Sequence, residues 1–174
     1  MKPYRPPRRT LLAAAESGDI ESIMFHLLAG ADVNGRTANG HFPLAGAAFK
    51  GHAQAAQYLI EHGAKVNMLT AFHWSPLYIA VVSRHLDVAR VLLSAGASTK
   101  PQTIPNEYGT SPRGFAALHA AASTGEGKMV RLLLRHGADP CRKAEGRLPE
   151  DVASDAGHQA IAKLLRARRT AWAK

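Results

Sequence analysis

Ser75-Pro76-Leu77-Tyr78-Ile79-Ala80, then His85-Leu86-Asp87-Val88-Ala89-Arg90-Val91-Leu92-Leu93, closed by Gly96-Ala97, is the stretch whose reading decides the fold. Its closing dipeptide returns along the chain. Gly30-Ala31, Gly63-Ala64 and Gly96-Ala97 stand 33 residues apart, and Gly137-Ala138 follows after 41, one further period plus eight inserted residues. Self-similarity at this stride marks a solenoid. Within the stretch, Ser75 precedes a proline at the first position of a helix, where the missing N–H costs nothing. Val88, Val91 and Leu92 recur at helical spacing on a second helix, and Gly96 stops it. Two short helices and a turn cannot bury an apolar face alone, so stacking of successive units has to supply the core.

Working outward, the second unit reads Gly40-His41-Phe42-Pro43-Leu44-Ala45-Gly46-Ala47-Ala48, Gly51-His52, Tyr58-Leu59-Ile60 and Gly63-Ala64-Lys65-Val66-Asn67. The fourth carries Ala117-Leu118-His119-Ala120-Ala121-Ala122, Gly125, Met129-Val130-Arg131-Leu132-Leu133-Leu134 and Gly137-Ala138-Asp139. Gly51 and Gly125 are placed to end the first helix in a left-handed conformation. The first unit (Thr10-Leu11-Leu12-Ala13-Ala14-Ala15, Gly18-Asp19) and the fifth (Gly146-Arg147-Leu148-Pro149, Gly157-His158, Leu164-Leu165) depart from the pattern. Terminal units do so because one face has no neighbour and must be wettable.

These residues resemble the ankyrin repeat family, whose pattern runs roughly G-x-T-P-L-H-x-A-A, G-H, an apolar helix, then L-L-x-x-G-A-D-V-N. The resemblance covers about residues 10–168. It implies an all-α solenoid of stacked helix-turn-helix pairs with projecting β-hairpin-like loops. The expected repeats are 10–36, 37–69, 70–102, 103–143 and 144–168, flanked by a basic Pro/Arg-rich arm (1–9) and a basic tail (169–174). Phe42, Ala116 and Leu148 replace the usual Thr, which should weaken hydrogen bonding at those helix starts, and His26 stands where a core Leu is usual.

Charge is unevenly placed. The chain carries a net +9, and the excess sits at the ends: Lys2, Arg5, Arg8 and Arg9 at one, Lys163, Arg166, Arg168, Arg169 and Lys174 at the other. The body between them is neutral overall, whereas a general DNA-binding groove would more naturally charge the body. The ends admit two readings, a solvated arm with a frayed last helix, or contact with nucleic acid, an acidic membrane or an import receptor. With helices spaced ~8–10 Å apart, five repeats separate the ends by on the order of 40 Å, too far for one patch. Trp172 could anchor to a membrane surface or lie on the last repeat.

Chemistry is thinly represented. Cys141 is the one cysteine, so neither an intrachain disulfide nor a cysteine zinc cluster is available. The histidines have structural roles in the repeat, and no carboxylate–His pairing at ligand spacing indicates a metal. No P-loop, Rossmann fingerprint, Gly-x-Ser-x-Gly or His-Glu-x-x-His occurs; Gly125-Glu126-Gly127-Lys128 lacks the spacing of a phosphate loop. No cofactor and no catalysis are expected. The apolar stretch after Arg9 ends at Glu16, short for a signal peptide, and a Thr-capped helix explains it better. A cytoplasmic protein is expected, with the nucleus or delivery into a host cell as alternatives.

Residues the repeat does not need are more informative. In ankyrin arrays a partner usually meets the hairpin tips and first helices, the concave face. On this chain that selects His41, Phe49 and Lys50; Phe72, Trp74 and Val82; and Arg113 and Phe115. Aromatics and arginines anchor interfaces, although Phe49 and Phe115 could equally fill space between repeats. The inserted loop Thr103–Thr110 would project beside them with Tyr108 near its tip, as a functional or merely tolerated insertion. The expected function is a non-catalytic adaptor or inhibitor, monomeric alone, that binds a partner protein. The alternatives are a regulator held on nucleic acid or acidic membrane by its basic ends, or a bacterial effector or immunity-type protein.

Overall fold

A computed structural model describes residues 10–100 and 116–172. Among these residues the chain forms ten helices, in five consecutive pairs: α1 (Leu11–Ser17) with α2 (Ile20–Leu28), α3 (Pro43–Lys50) with α4 (Ala53–Glu61), α5 (Pro76–Val82) with α6 (Leu86–Ser94), α7 (Ala117–Thr124) with α8 (Gly127–Arg135), and α9 (Pro149–Asp155) with α10 (Gln159–Trp172). The first helices stack in one row from α1 to α9, and the second helices form an outer row from α2 to α8. α5 packs directly on α7, so the stack runs on across the insertion. Tyr108 and the rest of the inserted loop lie outside the described residues.

The recurrent Gly-Ala is a helix stop. At the end of α4, Gly63 takes φ 91°, its N–H reaches Ile60 O (3.0 Å), and the Ala64 N–H reaches Leu59 O (2.9 Å). These two bonds define a Schellman motif, which satisfies carbonyls a helix end leaves orphaned. The alanine then turns inward: Ala64, Ala97 and Ala138 are all buried. Beyond it, asparagines tie neighbouring repeats. Asn34 donates to Gly63 O (3.1 Å) and accepts from Lys65 N (2.8 Å), and Asn67 does the same to Gly96 O (3.2 Å) and Ser98 N (2.8 Å).

The Gly-His step is a second tie. His52, His85 and His158 each donate through Nε2 to a carbonyl of the preceding repeat, Glu16 (3.0 Å), Phe49 (3.0 Å) and Ser123 (3.2 Å). Each ring lies on a left-handed glycine of that repeat. A Cβ on Gly18, Gly51 or Gly125 would stand 2.6 Å from it. The third repeat breaks the rule coherently. Arg84 takes the left-handed position at φ 64°, and the following repeat has Glu126 where the second, third and fifth have histidine. No ring needs the space, and the guanidinium reaches forward to Glu126 Oε1 (3.0 Å) and Thr124 O (2.8 Å).

The helix starts behave as their residues dictate. Thr10 and Ser75 cap α1 and α5, while Phe42 and Ala116 give no side-chain cap. At Leu148 the backbone N–H is instead taken by Asp151 Oδ2 (2.9 Å). Phe42 offsets its missing cap by burial, being one of the largest fully buried side chains, with the Arg36 guanidinium 5.5 Å from its ring centroid.

A frayed last helix, one of the two readings the sequence admits for the basic ends, is not what the structure has. α10 is helical through Trp172, so residue 168 lies inside it. The physical reason is Glu150 on α9, only 6% exposed, whose carboxylate accepts from Arg169 Nε and a second guanidinium nitrogen (both 3.0 Å) and lies 3.6 Å from Arg166. A bidentate guanidinium pair of this kind fixes geometry as well as charge.

Two glycines should separate backbone strain from steric clash. Gly63→Ala meets nothing within 4 Å and should cost only the left-handed penalty, about 1–2 kcal/mol. Gly51→Ala adds collision with the His85 ring and should cost at least about 1 kcal/mol more. Urea unfolding midpoints of the two variants measure the difference, and equal losses would refute the role assigned to the ring.

Candidate functional site

The third hairpin presents the strongest candidate surface. Thr70, buried, builds it from below: its N–H donates to Trp74 O (3.0 Å), its Oγ1 accepts from Trp74 N (3.2 Å), and its carbonyl accepts from His73 N (2.9 Å). His73 then has to adopt φ 59°, the left-handed conformation that Gly40 takes in the preceding hairpin. Non-glycine residues at such φ carry strain, which often collects at functional sites. The result is that Phe72 and Trp74 flank a fixed turn and both face solvent, 65% and 42% exposed.

The two rings are not isolated. Their centroids lie 6.0 Å apart, and Trp74 lies 5.7 Å from the ring of Tyr78 on α5, tilted by 53°. Tyr78 is half-buried, and that burial raises its phenol pKa above the ordinary value, keeping it a neutral hydrogen-bond donor. The repeat pattern does not single out Tyr78. The available signal was its place in Ser75-Pro76-Leu77-Tyr78, where the pattern carries histidine, as at His119.

The other selected residues distribute unevenly. Phe49 on α3 is 56% exposed, with the Lys50 ammonium 5.1 Å from its ring centroid. His41 is exposed on the second hairpin, its N–H donating to Thr37 Oγ1 (3.2 Å). Val82 is half-buried against the core and offers little surface. Arg113 and Phe115 lie outside the described residues. Met24, Leu28 and Trp172, none among the selected interface residues, are also exposed; no signal in the repeat pattern separates them from helix-face residues turned to the core.

His119 is a support of this row of helices. It is completely buried on α7 and its Nε2 lies 3.3 Å from Arg147 O in the next hairpin. Burial holds its pKa below the ordinary histidine value, against the opposing pull of the Arg147 and Arg142 carbonyls; the Arg142 charge adds to the lowering. Among the described residues no group of three His, Cys, Asp or Glu side chains is arranged to hold a metal. Among them, too, no helix is long and apolar enough to cross a membrane.

A family model described as ankyrin repeats (3 copies) matches residues 11–104 and 102–171. The chain belongs to the ankyrin repeat family. Ankyrin repeats are generally protein–protein interaction modules, and the fold is typically non-catalytic. Among curated proteins the chain is similar to "tRNA endonuclease ANKZF1" of Homo sapiens and of Bos taurus, 54% identical in each over 43 residues. That segment is 24% of this chain and spans only 6% of the length of those relatives, so the activity in their name is theirs.

The depressed pKa of His119 gives a pH signature. The folded state resists protonation, so the unfolded state binds the extra proton first and stability should fall as pH drops below about 6.5. His119→Gln keeps a donor toward Arg147 and cannot titrate. Urea midpoints at about pH 7.5 and 5.5 should show a larger acid loss in the wild type than in the variant. Identical losses would contradict the burial account.

Proposed function

We propose that the chain is a non-catalytic adaptor or inhibitor that grips a partner protein on its concave face. One observation carries this reading: Phe72, Trp74 and Tyr78 form a continuous aromatic surface, partly exposed and held by a strained, hydrogen-bonded hairpin. Exposed apolar clusters of this kind mark partner sites, and large rigid aromatics are the residue types that dominate binding energy. Their ordering entropy is already met by the hairpin, so little is lost on binding.

Phe49 with Lys50, and His41 on the neighbouring hairpin, extend the surface into a second repeat. Arg113 and Phe115, by their positions in the repeat pattern, and Tyr108, in the inserted loop, are proposed for the same face. The partner would be a protein with an apolar anchor and an acidic or hydrogen-bonding rim to meet Lys50 and His41. Aromatic anchoring predicts retention at high salt, because apolar burial is not screened. A cytoplasmic site of action fits a chain whose only thiol, Cys141, is free.

The test is capture of partners from native lysate in about 0.5 M salt, where exposed ion pairs are screened, with the wild type beside Phe72→Ala/Trp74→Ala. A protein held by the wild type and lost with the variant, whose helical circular dichroism stays intact, is the expected outcome. The loss should be at least about 100-fold in affinity for two hot-spot rings. Equal retention would refute the proposed face.

A further inference from the structure

The neutral body of the sequence is not neutral on every face. α8 and α10 contain no acidic residue, and between them lies a cleft of about 130 Å³ lined by Arg131, Leu134, Arg135, Arg168 and Trp172. A second groove adjoins it between α6 and α8, where Arg90 and Lys128 meet the same Arg131 and Arg135. Basic side chains from three successive outer helices therefore line two adjoining grooves, a trough in which Arg131 and Arg135 are common to both parts. α10 leans on α9 rather than closing on α8, and this leaves the cleft open.

Most of the charges in the trough are uncompensated; Arg90 is the exception, its Nε 4.0 Å from the Asp87 carboxylate on the same helix. Arg84 is paired with Glu126, Arg147 with Asp155, and Arg166 and Arg169 with Glu150. Arg131, Arg135, Arg168 and Lys128 form no ion pair with any described residue. Arg131 and Arg135 are one helical turn apart, where like charges repel. Glu150, which could have neutralised this end, is buried and fully engaged. The fold thus holds like charges together at a cost that an external anion would relieve.

We propose that this outer face binds single-stranded nucleic acid, with Arg131, Arg135, Arg168 and Lys128 on successive phosphates and a base stacked on Trp172. Guanidinium forks match phosphate oxygens bidentately. Trp172, 53% exposed beside Arg168, offers the flat ring on which an unpaired base stacks. A duplex keeps its bases away from such a ring. An acidic peptide has no ring to offer the indole at each charge. A bilayer surface would call for a broad apolar band, whereas Trp172 is the one large exposed apolar side chain lining the trough and Leu134 lies in the cleft. The site is on the second helices and does not depend on the concave face.

The test is fluorescence anisotropy of a labelled oligothymidylate of about 15 nucleotides with the full chain, between about 50 and 200 mM NaCl. Arg131→Gln/Arg135→Gln should weaken binding at low salt and make the slope of log K against log salt shallower by about 1.4, the loss of two phosphate contacts. Arg131→Lys/Arg135→Lys should restore the slope. Trp172→Ala should weaken binding at least about fivefold and leave the slope unchanged, because stacking releases no counterion. All three variants are at exposed positions, and circular dichroism checks that they fold. Unchanged affinity and slope in Arg131→Gln/Arg135→Gln would overturn the proposal, as would absent binding at low salt. Equal or tighter binding to the matching duplex, to phosphatidylserine vesicles or to polyglutamate would overturn it in favour of that partner.

Discussion

An imidazole laid on a glycine is the contact on which the stack depends. Each helix pair has an apolar face too large to leave in water and too small to form a core. It is stable only against a neighbour, at a fixed distance and rotation. His52, His85 and His158 set that relation by reaching a carbonyl one repeat back while their rings occupy the space over Gly18, Gly51 and Gly125. The bond needs the glycine twice, for its left-handed backbone and for its missing side chain. Where the histidine is absent, at Glu126, the left-handed residue of the preceding repeat is free to be Arg84, and the link between repeats becomes a charge-assisted one pointing the other way.

With spacing held by these ties, the two sides of the array diverge. The first helices and hairpins carry the aromatic group of Phe72, Trp74 and Tyr78, set by Thr70 and a left-handed His73. The outer helices at the C-terminal end carry arginines that no described acid answers. A repeat array makes this division easily. Each helix contributes one face to the core, and the residues left over from successive repeats line up into surfaces that no single repeat possesses.

The period, the helix stops and the small residues at helix contacts were legible because each follows from local rules. A Schellman stop needs glycine, a proline fits the first turn, and apolar residues at helical spacing must face a core. The same rules exposed Phe72 and Trp74 as residues the repeat has no use for. Tyr78 escaped because its position belongs to the repeat's own motif, and only the approach of the Trp74 ring across the hairpin joins it to the surface. Val82 was selected by register alone, and packing turned it toward the core. The charge run of Arg166, Arg168 and Arg169 admits a frayed last helix, and their sequence gives no hint that a buried carboxylate nineteen residues before Arg169 holds it in place.

The sequence by itself determined that this chain is a stack of short helix pairs, and where the glycine stops and proline starts of those helices fall. Those features arise from backbone preferences and periodicity, which act over a few residues. Only the tertiary structure decided which charges are cancelled and which rings touch. Glu150 reaches Arg169 rather than Arg168 because α10 packs on α9, and Arg131 and Arg135 come to face Trp172 across the cleft left open between α8 and α10. Electrostatic and aromatic contacts act over distances of a few ångströms, and residue spacing along the chain does not report them.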